Sequence, residues 1–300
     1  MSKKCVYALG IFDGVHLGHA SLLSACRLLA EEMDCDAGVV TFSTHPDALV
    51  HGVAPGLINT LRDRDYLLKT EFHMDTVVTL PFDRALMRCP WQDFFSRLRS
   101  EFGAVGLVCG EDFRFGYRGQ GDARALLEAC REAGIPCIVL PQLKMGDISV
   151  SSTYIRNLIE MGFMEQAVHF LGHPHILTGA VVHGHQLGRR LGFPTANLLL
   201  PKELVIPKFG VYVCSCLVEG VRYGAVTNVG TRPTVAGVGV TVETWLLDYT
   251  GDLYGREITL EFHRFLRPEL KFPSLEALQQ AVLNDAQKTK EILKDCITVR

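Results

Sequence analysis

Gly10-Ile11-Phe12-Asp13-Gly14-Val15-His16-Leu17-Gly18-His19 follows the apolar run Val6 to Leu9 and precedes the helix-patterned run Ser21 to Glu32. A glycine-bearing turn between a strand and a helix is where unpaired backbone N–H groups and the positive helix end favour phosphate. Gly14 and Gly18 remove side chains where a phosphate chain approaches the backbone, and His16 and His19, three apart, face the same way at the helix mouth. Leu22, Cys26 and Leu29, with Leu23 and Ala30 beside them, form the stripe that lays this helix on a sheet.

The alternation continues outward. Gly38 to Phe42, Thr76 to Leu80, Ala104 to Cys109 and Ile135 to Leu140 read as strands, and Trp91 to Phe102 and Ala123 to Ala133 as helices. This pattern predicts a Rossmann-like, doubly wound parallel sheet whose ligands bind at the carboxyl ends of the strands. After Leu171 the rhythm changes to β-rich segments, Ile176 to Val182, Val211 to Leu217, Arg222 to Thr227, Val240 to Leu247 and Glu257 to Phe265. Glu219-Gly220 offers a tight hairpin turn. That half is expected to be a small antiparallel β-barrel. One amphipathic helix, Ser274 to Lys294, closes it, with Ser274 as N-cap and Leu275, Leu278, Val282 and Leu283 inward. Ser152 to Gly162 and Met164 to Leu171 read as short connecting helices. The expected division is a first domain of residues 1–171 and a second of residues 172–300, so the chain is α/β plus β.

The 300 residues are 48% hydrophobic and 21% charged, with a formal net charge of -3, which argues against nucleic acid as a partner. No apolar run reaches membrane-spanning length and the start shows no secretory h-region, so a cytoplasmic protein without a membrane partner is expected. The ten cysteines are scattered through apolar stretches and read as reduced core residues. Cys214 and Cys216 lack a C-x-x-C companion, and His183 and His185 lack a third ligand, so neither pair predicts zinc. G-x-x-x-x-G-K-[ST] and G-x-G-x-x-G are both absent, and any ATP is bound another way.

The turn at residues 10–19, together with Gly179-Ala180-Val181-Val182-His183-Gly184 and Gly188-Arg189-Arg190-Leu191-Gly192-Phe193-Pro194-Thr195-Ala196-Asn197, resembles the signatures of the bacterial bifunctional riboflavin kinase/FAD synthetase family. The resemblance implies an N-terminal FMN adenylyltransferase and a C-terminal riboflavin kinase. It further implies ATP as co-substrate, riboflavin, FMN and FAD as substrates and products, Mg²⁺ as cofactor, and a monomer or weak homo-oligomer. In the first half, Gly10, Phe12, Asp13, Gly14 and Gly18 would bind ATP and its phosphates, and His16 and His19 would stabilise adenylyl transfer. Ser151, Ser152, Thr153 and Arg156 would take the outer phosphates, since hydroxyls at a helix start with an Arg fork suit pyrophosphate. His45, Pro46, Asp112, Phe113 and Phe115 would line the flavin and nucleotide region. Arg64 stands where the family usually has Lys.

In the second half the resemblance makes Glu243 the base that takes the proton of the attacking hydroxyl. In extended geometry Thr195 and Asn197 point to one side and present two oxygens to a hard cation. Gly184, Gly188, Arg189, Arg190, Gly192, Pro194, Asn228, Arg232 and Arg267 would bind ATP or flavin. Asn228 to Thr234 and Phe265 to Phe272 match two further family segments, expected as flaps. Two rivals remain at this point: a chain with one active module, and a flavin-binding or regulatory protein without catalysis.

Overall fold

The computed structural model describes residues 3–50, 52–182, 188, 191–234 and 237–297. They form two compact units, one of Met1–Pro55 and Leu61–Ser152, the other of Gly56–Thr60 and Thr153–Arg300.

The first unit runs β1 (Cys5–Leu9), α1 (Leu17–Glu32), β2 (Asp36–Phe42), α2 (Pro46–Val50), α3 (Leu61–Tyr66), β3 (Thr76–Leu80), α4 (Arg84–Arg88), α5 (Trp91–Ser100) and β4 (Ala104–Gly110). It continues with β5 (Arg114–Phe115), β6 (Gly121–Asp122), α6 (Ala123–Glu132), β7 (Cys137–Leu140), β8 (Lys144–Met145) and β9 (Ile148–Ser149). Five strands make an all-parallel sheet in the order β3-β2-β1-β4-β7. Central β1 is buried along its whole length, as a strand covered on both faces must be. The expected stripe of α1, Leu22, Leu23, Cys26, Leu29 and Ala30, is buried. Strand order reverses between β1 and β4, and crevices at such switch points take ligands. Residues 10–16 leave the carboxyl end of β1 and residues 110–112 that of β4.

The second unit contains α7 (Ser152–Met161), α8 (Met164–Leu171), strands β10 (His175–Val182), β11 (Ala196–Leu199), β12 (Gly210–Val218), β13 (Val221–Thr234), β14 (Gly237–Leu246) and β15 (Glu257–Arg267), and helix α9 (Leu275–Ile297). The strands close an antiparallel barrel in the order β10-β11-β14-β13-β12-β15. Alternation fills its interior with Tyr212, Cys214, Cys216, Ala225, Val229, Val242, Leu260 and Phe262, all fully buried. Two polar residues inside, Thr227 and Thr244, satisfy each other through their hydroxyls at 2.9 Å. Glu219 and Gly220, both in the left-handed region at φ 49° and 82°, turn β12 into β13 as a tight hairpin. Helix α8 packs in this unit, and Glu165 pairs with Arg264 of β15 at 2.7 Å.

Four expectations change in detail, the first being that Asn228 to Thr234, expected as a flap, is the second half of strand β13, paired with β14. Helix α1 starts four residues earlier than Ser21, because His16 caps it. β7 starts at Cys137, since the N–H of Ile135 closes the end of α6 on the Cys130 carbonyl. Ser274 does accept from the Ala277 N–H as the cap of α9, but Leu275 and Leu283 are exposed. Leu283 is five residues beyond Leu278, on another side of a 3.6-residue helix, and Leu275 lies in its first, uncovered turn. Asp285, Ala286, Thr289 and Leu293 are buried in their place.

His175, in β10, is 1% exposed, and neither ring nitrogen has a hydrogen-bond partner. Burial first, then neighbouring His173, pushes its pKa down to about 3. The folded chain holds this imidazole neutral while the unfolded chain protonates it below its ordinary value near 6.5. Stability is therefore complete above that value and falls as pH drops toward 3, by about 2 kcal/mol at pH 5. His175→Leu should lose less melting temperature than the parent between pH 7 and pH 5. Equal losses in calorimetry would refute this account.

Candidate active sites

The turn after β1 is built on strain held by hydrogen bonds. Phe12, Gly14 and Val15 all have positive φ, 56°, 81° and 40°, a region costly for phenylalanine and more so for β-branched valine. Phe12 and Val15 are completely buried, which anchors the turn at both ends. The Ile11 carbonyl accepts from Thr41 Oγ1 at 2.8 Å and from Arg64 Nη1 at 2.8 Å, and Arg64 Nη2 donates to the Phe42 carbonyl at 2.5 Å. Arg64 thus clasps the chain just beyond β1 and the end of β2, two adjacent strands.

Past the turn, His16 Nδ1 accepts the His19 N–H at 3.3 Å, and the two imidazoles stack at 3.7 Å between centroids, 13° from parallel. The pair is both cap and cluster. Gly18 eases the packing: a Cβ there would stand 3.2 Å from the His16 ring, a tight contact for the stacked pair. Burial, then His16, then Arg64 hold the His19 pKa well below its ordinary value, so its imidazole is neutral at pH 7. Accepting at Nδ1 places any proton of a neutral His16 ring on Nε2, leaving an N–H donor at the helix mouth. The Gly10 N–H is tied to the Val40 carbonyl, and Asp13 is buried with its carbonyl accepting from Ser152 Oγ at 2.9 Å.

The other first-unit segments divide between surface and core. His45 Nδ1 accepts the Asp47 N–H at 3.3 Å, and Pro46 opens α2. After β4, the Asp112 carboxylate folds over Gly110, where an added Cβ would meet it at 2.8 Å. Phe113 stacks on Phe115 at 5.3 Å, while Phe115 is buried among Trp91, Phe94 and the sheet core. Gly116 at φ 73° lies so close to the Trp91 backbone that no side chain fits. Ser151 directly precedes α7. Thr153 and Arg156, on α7, belong to the second unit, where Arg156 is buried and its Nη1 donates to Thr153 Oγ1 at 3.4 Å.

In the barrel, register assembles the site. Asn197 of β11 pairs with Glu243 of β14, and Glu243 pairs with Asn228 of β13, so three polar side chains stand in one row across three strands. The row continues to Val211 of β12 and Arg267 of β15. These residues line a cavity of about 350 Å³ on the outer wall, with Thr195, Phe193, Val226 and Trp245 of the barrel and Leu278, Val282 and Asp285 of α9. Gly188 gives the cavity room, since a Cβ there would stand 2.5 Å from the Phe193 carbonyl oxygen and 3.3 Å from Thr195 Oγ1. Gly192, at φ 86°, turns the chain, and Gln279 of α9 donates to the Leu191 carbonyl at 2.9 Å. Arg267 is committed to Asp285, with Nη2 to Oδ2 at 2.7 Å and Nε to Oδ2 at 3.0 Å, a bidentate pair that fastens α9 to β15. Pro194 is exposed beside the cavity. Gly184, Arg189 and Arg190, with His183 and His185, lie outside the described residues, as does the side chain of Arg232.

Sequence reasoning missed Asp285, Glu269 and Trp245. A carboxylate at a buried position of an otherwise amphipathic helix was the available signal for Asp285. Trp245 stands two residues from Glu243 in a strand and therefore shares its face.

A phosphate-type turn at the switch point of a parallel sheet and a carboxylate set between two amides on a barrel wall define a transferase with two nucleotide-handling sites. Family models agree in register with that division: FAD synthetase matches residues 1–154 and riboflavin kinase residues 171–293. A bifunctional riboflavin kinase/FMN adenylyltransferase of Pseudomonas fluorescens is 35% identical over 97% of this chain and 93% of its own length. One from Escherichia coli K12 is 36% identical over 96% and 93%. A crystal structure from Streptococcus pneumoniae, described as a macrolide-efflux protein, superposes with a TM-score of 0.87 at 28% identity, over 97% of this chain and 95% of that one. Among the described residues no helix is long and apolar enough to cross a membrane. The chain belongs to the bifunctional riboflavin kinase/FMN adenylyltransferase family, and it is an enzyme with a FAD synthetase part and a riboflavin kinase part.

The clasp on Ile11 is open to direct test. Arg64→Ala leaves two carbonyls without their charged donor and should destabilise the first unit by about 2 to 4 kcal/mol, since bonds to charged groups are worth roughly 1.5 to 3 kcal/mol each. FAD formation should fall with it while FMN formation from riboflavin persists. Parental melting and parental FAD synthesis in this variant would show that the turn holds itself.

Proposed function

We propose that the turn of residues 10–19 is the adenylyl-transfer site and the barrel cavity the phosphoryl-transfer site, with the functional boundary after Leu171. The observation that carries the reading is the Asn197, Glu243, Asn228 row lining one cavity. In the barrel, the 5'-hydroxyl of riboflavin attacks the γ-phosphorus of ATP, its proton passes to Glu243, and ADP leaves. A positioned base contributes roughly 10²- to 10⁴-fold to such a step. Apolar Val226, Trp245, Leu278 and Val282 suit the flavin ring, and Arg267, held by Asp285, is a fixed positive wall rather than a roaming phosphate ligand.

In the first unit, a phosphate oxygen of FMN attacks the α-phosphorus of ATP in line and pyrophosphate leaves. No proton need be removed, so imidazole N–H donors and the N-terminus of α1 suffice to stabilise the developing charge. Gly10, Phe12, Asp13, Gly14 and Gly18 shape the turn for the triphosphate. Ser151 and Ser152 supply hydroxyls and N–H groups for the outer phosphates, and His45, Pro46, Asp112 and Phe113 border the nucleotide and flavin.

The donor set fits magnesium. Thr195 and Asn197 offer hard oxygens, Glu243 is the carboxylate paired across the strands with Asn197, and Gly188 leaves space next to Thr195 Oγ1. Thr195 and Asn197 would hold the ion, which when bound supplies charge neutralisation on the ATP phosphates. The protein works on small molecules in the cytoplasm, with its described cysteines free, as a monomer or weak homo-oligomer.

Two substitutions separate the sites. Glu243→Gln keeps size but is not a base, and should lower kcat for FMN formation by about 10²-fold or more with little change in riboflavin affinity. Adenylylation of supplied FMN should be untouched, and near-normal FMN formation would remove the base from Glu243. Conversely, His16→Ala or His19→Ala should depress FAD formation by about 10²- to 10³-fold and spare the kinase. Should the double alanine variant make FAD at the parental rate, the histidines are a helix cap and nothing more.

A further inference from the structure

Glu269 lies just beyond β15, exposed to solvent, on the rim of the barrel cavity. Its Oε1 accepts a hydrogen bond from Asn228 Nδ2 at 3.2 Å, and Asn228 is the direct cross-strand partner of Glu243. Gly230, two residues along the same strand and hence on the same face, faces the same carboxylate. A Cβ built on it would overlap Glu269 Oε1 and stand 2.9 Å from Cδ. The backbone of Gly230 does not itself require glycine, because it is absent from the positive-φ residues. Space for the Glu269 carboxylate is what its missing side chain provides.

A carboxamide is nearly symmetric in shape and opposite in chemistry at its two ends, so only its hydrogen-bond partners decide which end is oxygen and which is NH₂. A carboxylate can only accept when ionised, and it therefore selects the NH₂ end. The other end of Asn228 is then an acceptor, suited to a hydroxyl donor or a cation. Reversed, the amide would offer N–H groups there, which repel a cation and, by donating to a neighbouring carboxylate, weaken it as a base.

We propose that Glu269 is a positioning residue of the kinase site, setting the orientation of the Asn228 amide beside Glu243, and that the missing side chain of Gly230 leaves its carboxylate room in this pose. The inference rests on the reading of this cavity as the phosphoryl-transfer site. It assigns a task to Glu269 and Gly230 that neither the row of strand residues nor the Arg267 pair supplies.

The test uses the full chain with riboflavin, ATP and Mg²⁺, following FMN. Glu269→Ala removes the acceptor and should lower kcat roughly ten-fold, the worth of one hydrogen bond, with the riboflavin KM changed much less. Glu269→Gln retains an acceptor oxygen and should recover most of that loss. Gly230→Ala leaves every reacting side chain intact but displaces the carboxylate, and should reproduce Glu269→Ala. All three should adenylylate supplied FMN at the parental rate and melt cooperatively. Parental kcat in both alanine variants overturns the proposal, as does a Glu269→Gln variant as slow as Glu269→Ala, which would make charge rather than amide orientation the cause. Glu243→Gln run alongside distinguishes the failures. If it is slow while the Glu269 and Gly230 variants are normal, only this inference falls; if it is normal, the site reading falls and this inference with it.

Discussion

The carbonyl of Ile11 receives two hydrogen bonds from different parts of the chain, and the turn of residues 10–19 depends on that double attachment. Left alone, a turn with Phe12 and Val15 in the left-handed region would relax, since each such residue costs of order 1 to 3 kcal/mol. Thr41 at the end of β2 and Arg64 on α3 fix the oxygen in place, and burial of Phe12 and Val15 prevents either from swinging out. The chain then enters α1 at His16, and the two imidazoles stack at the helix start, where the dipole is positive. Strain here is inseparable from function. A relaxed turn would start the helix elsewhere and separate the rings.

The barrel solves a corresponding problem by closure instead of strain. With six strands paired all the way round, the sheet has no free edge, and no strand can slip by one residue without turning its side chains inside out. Thr227 and Thr244 face in and bond each other while Asn228 and Glu243, one residue on and one residue before, face the cavity. A slip would place a carboxylate among Tyr212 and Phe262. The pair of half-buried Arg267 and buried Asp285 adds the last constraint by fixing α9 over the outer wall, and removing Arg267 would leave the buried Asp285 charge uncompensated.

Fold class was legible because it rests on periodicity. Each of the five parallel strands and the long strands of the barrel announced itself as an apolar run or an alternation, and the stripe of α1 was correct residue for residue. The start of α1 was not legible, since histidine is a weak sequence signal for a cap and only the structure shows its Nδ1 in that role. The face of α9 was misjudged at Leu275 and Leu283 because hydrophobicity was taken as burial, whereas Asp285 and Thr289 occupy the buried side. Site residues in short motifs could be named from sequence, but their juxtaposition could not. That Asn197, Glu243 and Asn228 form a row is a matter of strand register, and that Arg64 grips two carbonyls is a matter of how α3 packs, neither of which composition or spacing encodes.

The chemistry explains why the two sites look so unlike although both consume ATP in the proposed scheme. The nucleophile for adenylyl transfer is a phosphate monoester, whose second ionisation near pH 6 leaves it mostly deprotonated at pH 7. It carries its own negative charge and needs no base to take a proton; neutral His19, buried beside the turn, adds no charge there. The nucleophile for the kinase is a neutral hydroxyl that must lose a proton as it attacks, and there a carboxylate is needed. A base set among oxygen donors on a barrel wall and a stacked pair of imidazoles at a helix mouth are thus answers to opposite protonation states of the attacking group, and a single site could not serve both without weakening one.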